Sequence, residues 1–460
     1  MSGFELRLGS DHYRELWSHL HRADRDEYGA IALAGVREHG SEATLYVREL
    51  HLLGDDQFPP GVHGYRQFSP LVIAELAGRA AELGLAYVAI HSHPHSREWT
   101  GLSGDDLDSH QRLFPHLLDV TEGQPVAGIA VGSASAAGEL WRRGGAPIEL
   151  ARLRVVGPRL LGFGADNRPR GAASSPRFDR QVRLFGNQGQ EVLGAMRVGV
   201  IGAGGGGSIL IEQLAHLGVG SLTVVDYDVV KPHNLSRIVG ASGTDARRQV
   251  KKVEVMRRMV AAIDPVIEVD AIDGDIADLS TAEALIDLDY LFLATDTMTS
   301  RLVFNALVHQ YLIPGIQIGA KVELDGDGRI DQVYVAVRPL LPDRGCLQCS
   351  SLINSMQLQR EARGEEEIEA QNYLGTSEVV DPSVITLNGI GASHAANTML
   401  LQAVGLYELD HLDQHLYFPL EDEVRSIAPR KDPECVFCGS GTSSRYGLGD
   451  PSSSLPCRRS

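Results

Sequence analysis

The segment RVGVIGAGGGGSILIEQLAHLGVGSLTVVD (197–226) joins an apolar strand, a glycine-rich turn, a helix and a second apolar strand. The same alternation continues through VKKVEVMRRMVAAI, IEVDAI and YLFLAT. Strands that alternate with helices form parallel sheets, because each helix returns the chain to the edge where the next strand starts. The sequence therefore predicts a doubly wound α/β sheet in the second half of the chain.

The rest of the chain predicts further units. A length of 460 residues is typical of two to three domains. We expect a first α/β domain over 1–155, a linker rich in glycine and proline over 156–176, a second domain over 177–440 and a flexible, serine-rich tail over 441–460. In the first domain the pattern predicts strands at 31–36, 43–50, 87–93 and 126–132 and a helix at 69–84.

Charge and hydropathy limit the partners of the chain. A formal net charge of −18 argues against nonspecific binding to nucleic acid or to anionic membranes, because both need a basic surface. The amino terminus has no signal-peptide pattern, and no apolar run reaches the ~18 residues that span a bilayer. We expect a cytoplasmic protein that does not bind membranes, and the net charge disfavours a nucleic-acid partner without excluding a local basic patch.

Four of the five cysteines form two C-x-x-C pairs, CLQC and CVFC. In a cytoplasmic chain this spacing favours a structural zinc site with four thiolates over disulfides. The alternative is two unrelated pairs of buried thiols. The predicted ligands are Cys346, Cys349, Cys435 and Cys438.

A second candidate metal site lies in the first half, in YVAIHSH and the residues after it. His91 and His93 are two apart on a strand, so both side chains point to one face of the sheet. Asp106 follows in the first turn of a predicted helix, three residues after Ser103. Two histidines and a carboxylate leave one position of a zinc ion open for catalysis. The alternative is a set of ordinary histidines at a strand end.

These residues resemble the JAMM (MPN/JAB) metalloprotease family, whose motif is H-x-H followed by S-x-x-D. The resemblance implies a catalytic Zn²⁺ on the two histidines and the aspartate, with Ser103 stabilising the oxyanion. It also implies a glutamate base, for which Glu27 fits best, although Asp26 is adjacent. The nine residues between His93 and Ser103 are slightly more than the commonest spacing.

The glycine-rich turn contains Gly202-x-Gly204-x-x-Gly207, which any Rossmann-like nucleotide-binding protein could share. The residues after the turn distinguish nucleotidyl transfer from hydride transfer. Nucleotidyl transfer needs cations and Mg²⁺ around the leaving pyrophosphate, and hydride transfer does not. These residues are Asp226, Asp228, Asn234, Arg237, Lys252 and Asp296.

This set resembles the MoeB/ThiF family, the bacterial relatives of ubiquitin-activating enzymes, over roughly residues 175 to 440. The resemblance implies ATP bound on the glycine turn and Asp228, with Asp226 on the ribose and Asp296 helping to hold Mg²⁺. Asn234, Arg237 and Lys252 then contact the triphosphate. Arg180, in RFDRQVRLFG, corresponds to an arginine that enters the partner subunit's ATP site, which implies a homodimer through this domain. Paired C-x-x-C motifs are also a feature of this family.

The cysteine positions restrict the step after adenylation. Residues 350 to 434 contain no cysteine, so the mid-domain thioester of some relatives is excluded by composition. Cys457 in the tail, or an oxyester on Thr376 or Ser377, are weaker alternatives as acceptors.

Together the motifs predict a bifunctional enzyme that acts on a ubiquitin-like or sulfur-carrier protein. One half is expected to cleave after the carrier's terminal glycine, and the other to adenylate the exposed carboxylate. A separate conjugating enzyme or a sulfurtransferase would then receive the acyl group. Two alternatives remain: the second half adenylates a small molecule, a peptide or a tRNA base, or one half is a docking module without activity.

Overall fold

A computed structural model describes residues 3–24, 26–58, 67–165, 175–325, 327–342, 344–362, 382–408, 411–439 and 449–458. The chain divides into two compact units. Unit 1 comprises Met1–Arg170, Gln310–Leu312 and Tyr446–Ser453, and unit 2 comprises Gly171–His309, Ile313–Arg445 and Ser454–Ser460. None of the helices in the described ranges is both long and apolar enough to span a bilayer.

Unit 1 is built on an eight-stranded sheet in the order β1-β3-β2-β4-β5-β6-β7-β8. Because β1 pairs with β7 as well as with β3, the sheet closes on itself. The strands are β1 (Phe4–Gly9), β2 (Gly29–His39), β3 (Glu42–Leu52), β4 (Ala86–Ser92), β5 (Val126–Val131), β6 (Ala136–Trp141), β7 (Ile148–Val156) and β8 (Leu161–Phe163). The helices are α1 (Ser10–Leu20), α2 (Pro70–Leu83) and α3 (Gly104–Val120).

The two faces of this sheet carry separate apolar cores, as expected from alternation along the strands. One core contains Leu6, Ala32 and Val88 together with Leu16 and Leu20 of α1. The other contains residues of β2 and β4, such as Ile31 and Tyr87, and the apolar faces of α2 and α3. Helices α2 and α3 therefore cover one face of the sheet, which fixes where α3 begins relative to the end of β4.

The predicted linker at 156–176 differs from what the structure shows. β8 lies inside it and pairs with β7. The physical reason is the aromatic side chain of Phe163, which stacks on Tyr13 with ring centroids 5.9 Å apart and packs against the core. A short stretch rich in glycine and proline can still supply an edge strand when it carries apolar side chains. The four strands and the helix predicted for the first domain are present as β2, β3, β4, β5 and α2.

Unit 2 contains a second eight-stranded sheet in the order β11-β10-β9-β12-β13-β14-β15-β16. The strands are β9 (Arg197–Ile201), β10 (Ser221–Val225), β11 (Glu268–Ile272), β12 (Tyr290–Leu293), β13 (Gly315–Leu324), β14 (Ile330–Leu340), β15 (Gln414–Phe418) and β16 (Glu423–Ile427). The pairs from β11 to β13 are parallel, which confirms the doubly wound prediction. The pairs from β13 to β16 are antiparallel and were not predicted.

Helices connect the strands of unit 2 in the expected alternation. They are α4 (Asp179–Ala195), α5 (Gly205–Leu217), α6 (Gly243–Arg248), α7 (Lys252–Ile263), α8 (Leu279–Glu283), α9 (Met298–Gln310), α10 (Ser355–Glu361) and α11 (Ile385–Ala403). α5 follows β9 directly and buries Leu210, Ile211 and Leu214 completely. The predicted helix at 385–406 corresponds to α11, whose residues from Gly391 onward are largely buried.

Part of the predicted flexible tail makes specific contacts. In unit 2, Arg458 N donates to Ala277 O at 2.7 Å, and Leu279 N donates to Arg458 O at 3.1 Å. The Arg458 guanidinium also pairs with Asp275 at 2.6 Å and Asp278 at 3.1 Å. The prediction of a flexible tail therefore does not describe residues 454–458, because a serine-rich composition does not reveal an arginine that has two carboxylate partners.

A buried carboxylate, Glu5, anchors β1 to β7 in unit 1. Arg152 donates to its Oε2 at 2.7 Å, and Arg154 Nε lies 3.6 Å from its Oε1. Burial alone raises the pKa of Glu5, but the charges of Arg154, Arg7 and Arg152 outweigh burial and hold the pKa well below its ordinary 4.5. The arginines and the carboxylate therefore depend on one another for burial.

We predict that Glu5→Gln lowers the free energy of unfolding at pH 7 by about 3 kcal/mol, because it removes the carboxylate charge that the guanidinium groups share. The folded-state pKa of Glu5 is lowered, so its stabilisation is complete above the ordinary pKa and is lost as the pH falls below it. Urea unfolding should therefore show a difference from the parent chain that shrinks below about pH 4. Glu149→Gln, at an exposed position of β7, serves as the control. An equal effect of both substitutions would contradict the prediction.

Candidate functional site

The structure of unit 1 brings His91, His93 and Asp106 together. His91 Nε2 lies 3.1 Å from Asp106 Oδ1 and 3.1 Å from His93 Nε2, and His93 Nε2 lies 3.5 Å from Asp106 Oδ2. All three ligand atoms lie within 4.8 Å of one another. Donors ~2.0–2.1 Å from a tetrahedral zinc ion are roughly 3.3 Å apart, so this spacing fits zinc. The two histidine side chains are each 17% exposed, which leaves one side of the cluster open.

Asp106 is held in place by the start of α3. Ser103 is the N-cap of α3, and its Oγ accepts from Asp106 N at 3.1 Å. In return, Ser103 N and Oγ each donate to Asp106 Oδ2 at 2.7 Å. Burial raises the pKa of Asp106, but hydrogen bonds from His91 and His93 outweigh burial and lower the pKa. The S-x-x-D spacing is therefore a capping box whose acid also faces the histidines.

Glu27 comes two residues before β2, the strand that pairs with the end of β4. Antiparallel pairing of β2 with β4 sets Gly29 opposite His91. Ser92 extends the pairing by one residue, because its N–H donates to Tyr28 O at 2.9 Å and its Oγ accepts from Tyr28 N at 2.9 Å. Glu27 is the residue before Tyr28, and before it Asp26 N donates to Asp24 Oδ1 at 3.2 Å. The contacts of Ser92 were not foreseen, because an H-S-H motif points only to its histidines.

The four cysteines of the C-x-x-C pairs also meet, in unit 2. Cys346 Sγ lies 3.6 Å from Cys435 Sγ, and Cys349 Sγ lies 3.5 Å from Cys438 Sγ. These distances exclude disulfides, in which the sulfur atoms are ~2.05 Å apart. Thiolates ~2.3 Å from a tetrahedral zinc ion are about 3.8 Å apart, so the cluster fits structural zinc.

The glycine turn of unit 2 is compact in a way that only glycine allows. Gly202 has φ +98°, and a Cβ at Gly207 would lie 1.8 Å from Gly202 O. The turn therefore folds tightly onto the first residues of α5. A Cβ at Gly204 would meet nothing within 4 Å, so the N-terminus of α5 opens onto free space beside the turn. Such a helix N-terminus with free backbone N–H groups suits phosphate.

Asp226 and Asp228 lie beside this turn and share Lys252. Asp226 accepts from Ala203 N at 2.7 Å and from Asp228 N at 2.9 Å. Lys252 Nζ lies 2.6 Å from Asp228 Oδ2 and 3.7 Å from Asp226 Oδ1. Burial raises the pKa of Asp226, and the charge of Lys252 opposes that shift. The Asp226 carboxylate still has lone pairs for a ribose hydroxyl, since each carboxylate offers about four acceptor sites.

Arg237 and a residue that the sequence did not single out, Asn388, lie over the first turn of α5. A Cβ at Gly205 would lie 3.3 Å from Arg237 Cδ and 2.3 Å from Asn388 Nδ2. Arg237 Nη1 donates to His233 O at 3.0 Å, and Asn234 Oδ1 accepts from Lys231 N at 3.0 Å. Asn388 is on α11, which lies far away in sequence and carries no nucleotide-binding motif.

The candidate residues follow the carboxyl edge of the parallel sheet in order. Asp226 follows β10, the glycine turn follows β9, and the exposed Asp296 follows β12. Ligands of doubly wound folds bind at this edge where the strand order reverses, which here is between β9 and β12. A carboxylate there suits Mg²⁺, which prefers oxygen ligands.

Other predicted residues lie apart from this edge or outside the described ranges. The Arg180 side chain on α4 is 87% exposed and lies 3.9 Å from Asp179, so its predicted role in a partner's site stays a prediction. Cys457 is partly buried, and burial together with Asp278, Glu283 and Asp275 raises its pKa to about 12. A thiol with such a pKa is a poor nucleophile near neutral pH. Thr376 and Ser377 lie outside the described residues.

The two clusters predict the metal content of the protein. We expect about two zinc ions per chain, because each cluster offers a separate ligand set. Cys435→Ser and His91→Ala should each remove one ion when metal is measured by plasma mass spectrometry. Only Cys435→Ser should also lower the melting temperature substantially, since structural zinc contributes folding energy. Cys457→Ser is the control and should keep both ions; loss of both ions in either single variant would contradict separate sites.

Comparison with known proteins agrees with the second site. The chain is 28% identical to the SAMP-activating enzyme E1 of Haloferax volcanii, over 59% of this chain and 91% of that protein. It is 32% identical to a molybdopterin-synthase adenylyltransferase of Salmonella typhimurium, over 38% of this chain and 67% of that protein. It is 28% identical to a sulfur carrier protein adenylyltransferase of Thermus thermophilus, over 58% of this chain and 92% of that protein. The ThiF family model matches residues 178–435, which is more than half of the chain. On this match the chain belongs to the ThiF family.

Proposed function

We propose that unit 2 uses ATP to adenylate the terminal carboxylate of a ubiquitin-like or sulfur-carrier protein. The observation that carries the proposal is the order of Asp226, the glycine turn and Asp296 along one sheet edge in a ThiF-family chain. The names of the relatives, a SAMP-activating enzyme and a sulfur carrier protein adenylyltransferase, support the substrate class.

In this reaction a carboxylate oxygen bonds to the α-phosphorus of ATP, the bond to the β-phosphate oxygen breaks, and pyrophosphate leaves. Asp226 would hold the ribose, while the backbone of the glycine turn with Asp228 and Asn234 would hold the phosphates. Arg237 and Lys252 would neutralise charge that builds up on pyrophosphate. Asp296 would hold Mg²⁺, which supplies further positive charge when bound.

The acyl adenylate then needs an acceptor from outside the mid-domain region. Residues 350–434 contain no cysteine, and the raised pKa of Cys457 disfavours its thiolate. We therefore propose that a separate protein, either a conjugating enzyme or a sulfurtransferase, supplies the thiol or sulfur. A homodimer in which Arg180 reaches the partner's ATP site is part of the same proposal.

We predict that Asp296→Asn lowers ATP–pyrophosphate exchange by about 10²–10³-fold, because it removes a charge that acts on the transition state. Exchange is measured with small ubiquitin-like and sulfur-carrier proteins as substrates. Asp331→Asn, at an exposed position of β14, is the matched control and should keep full exchange. If exchange instead requires a small molecule, a peptide or tRNA, that molecule is the substrate and a carrier protein is not.

For unit 1 we propose zinc-dependent cleavage of the peptide or isopeptide bond after the carrier's terminal glycine. The cluster of His91, His93 and Asp106, with Glu27 two residues before the Gly29 that pairs with His91, carries this proposal. The three cluster residues would hold Zn²⁺, which when bound supplies a nucleophile from water at neutral pH and polarises the scissile carbonyl.

The residues of the chain would then manage protons and charge. Glu27 would accept a proton from the attacking water and pass it to the leaving nitrogen as the C–N bond breaks. Ser103 would stabilise the oxyanion, and its bonds to Asp106 would at the same time keep that ligand in place. The product is a free glycine carboxylate, which is the group that unit 2 would activate. A docking role without activity is the competing possibility for unit 1.

We predict that Glu27→Gln lowers cleavage of a carrier fused through its terminal glycine by about 10²–10⁴-fold, since it removes the proton carrier. Zinc content should stay unchanged. Asp26→Asn is a matched control, because it removes the charge of the adjacent acid and leaves Glu27 in place. Cleavage that survives Glu27→Gln but not Asp26→Asn would show that the base is misassigned, and no cleavage by the parent chain would favour the docking role.

A further inference from the structure

Two neighbouring arginines of unit 2, the partly buried Arg301 of α9 and the buried Arg338 of β14, form a cationic pair. Arg338 is 8% exposed, and its Nη1 donates to Gln317 Oε1 at 2.7 Å. Arg301 Nη1 donates to Leu352 O at 3.0 Å, and its Nε is buried without a hydrogen-bond partner among the described residues. Burial lowers the pKa of both groups, that of Arg338 to about 10, and the charge of Arg301 adds to the shift at Arg338.

No carboxylate of the described ranges lies within ion-pair distance of either guanidinium. Asp296 and Glu361 influence Arg301 only from farther away. The Glu361 carboxylate instead accepts from Met298 N at 2.9 Å and Thr299 N at 2.8 Å. The partners that are present, Gln317, Tyr334 and the Leu352 carbonyl, are neutral near pH 7. One buried and one partly buried guanidinium therefore have polar contacts, but no carboxylate of the described residues forms an ion pair with either.

The buried arginines of unit 1 make the contrast clear. There Arg7 and Arg154 share Glu5, so their burial is compensated within the fold. An uncompensated buried charge is costly, and proteins keep such groups where function needs them. Guanidinium groups match carboxylates in shape and bind them through paired N–H donors.

The position of the pair indicates which anion it meets. Gln317 of β13 pairs with Leu293, the last residue of β12, and lies opposite Arg338 in β14. Gln317 therefore lies one strand spacing of about 4.8 Å from the end of β12, and Arg338 lies two spacings from it, on the side away from β9. The triphosphate is proposed to lie on the glycine turn after β9, on the other side of Asp296. The group that meets the α-phosphate from the β13 side is the acyl substrate.

We infer that Arg301 and Arg338 form a carboxylate-binding pocket for the acyl substrate of unit 2. The inference rests on the proposed adenylation, and it adds a specificity determinant to it. The carboxylate has two possible sources, the terminal group that is activated and an acidic side chain close to the carrier's terminus. Both sources offer the same ligand chemistry to the two guanidinium groups.

The test measures binding rather than turnover, so it is separate from the test of adenylation. Three probes are titrated by calorimetry: N-acetyl-Gly-Gly, N-acetyl-Asp-Gly-Gly-amide and N-acetyl-Gly-Gly-amide. We expect at least one carboxylate probe to bind about tenfold or more tightly than the neutral amide, as charged hydrogen bonds allow. The first probe reports a terminal carboxylate, and the second reports an acidic side chain.

Arg338→Met should abolish this preference, whereas Arg257→Met, an exposed arginine of α7, should retain it. Because Arg338→Met leaves Gln317 without its donor, the double variant Gln317→Leu/Arg338→Met provides a second protein that should fold with an equal or higher melting temperature. A role in folding alone predicts the opposite, namely a lower melting temperature of the double variant. Equal binding of all three probes to the parent chain, or a preference that survives in the variants, would overturn the inference while leaving pyrophosphate exchange intact.

Discussion

The parallel register of β10, β9 and β12 is the constraint on which the nucleotide site depends. Ile201 at the end of β9 pairs with Val225 on one side and with Leu293 on the other. All three strands therefore end at the same level, and the residues after them emerge side by side. If β10 or β12 slipped by one residue against β9, the aspartate that follows that strand would move by about 3.3 Å and turn to the other face of the sheet. Apolar side chains on both faces of the sheet maintain this register.

In unit 1, hydrogen bonds of two serines position the candidate site residues. Its candidate metal ligands come from one strand end and one helix start, and the hydrogen bonds of Ser92 and Ser103 fix both. Ser92 holds the strand that carries Glu27 against β4, and Ser103 ties the first turn of α3 to Asp106. Two serine hydroxyls thus determine the positions of an acid and of a metal ligand.

Much of the fold and of the site could be predicted from local sequence. Period and glycine placement revealed the parallel strands and α5, and short motifs such as H-x-H and S-x-x-D revealed side chains that the structure brings within 3.5 Å. The sequence could not reveal the pairing of β1 with β7, the antiparallel strands after β13, or the location of Asn388 over α5. Each depends on contacts between distant segments, which leave no periodic pattern. Arg301 and Arg338 escaped notice for the same reason, since an arginine in a strand or helix normally faces water.

The four-cysteine cluster has a consequence for how unit 2 responds to its surroundings. The sulfur atoms that meet are 89 positions apart in sequence, so a metal ion there closes a long loop that contains α10, α11, β15 and β16. Closing a loop of that length by a cross-link is worth about 4–5 kcal/mol of unfolded-state entropy. Unlike a disulfide, this cross-link persists in a reducing environment and opens when zinc is scarce or thiols are oxidised. The helix that brings Asn388 over the phosphate turn would then be secured only by its own packing, so zinc supply could control the completeness of the nucleotide site.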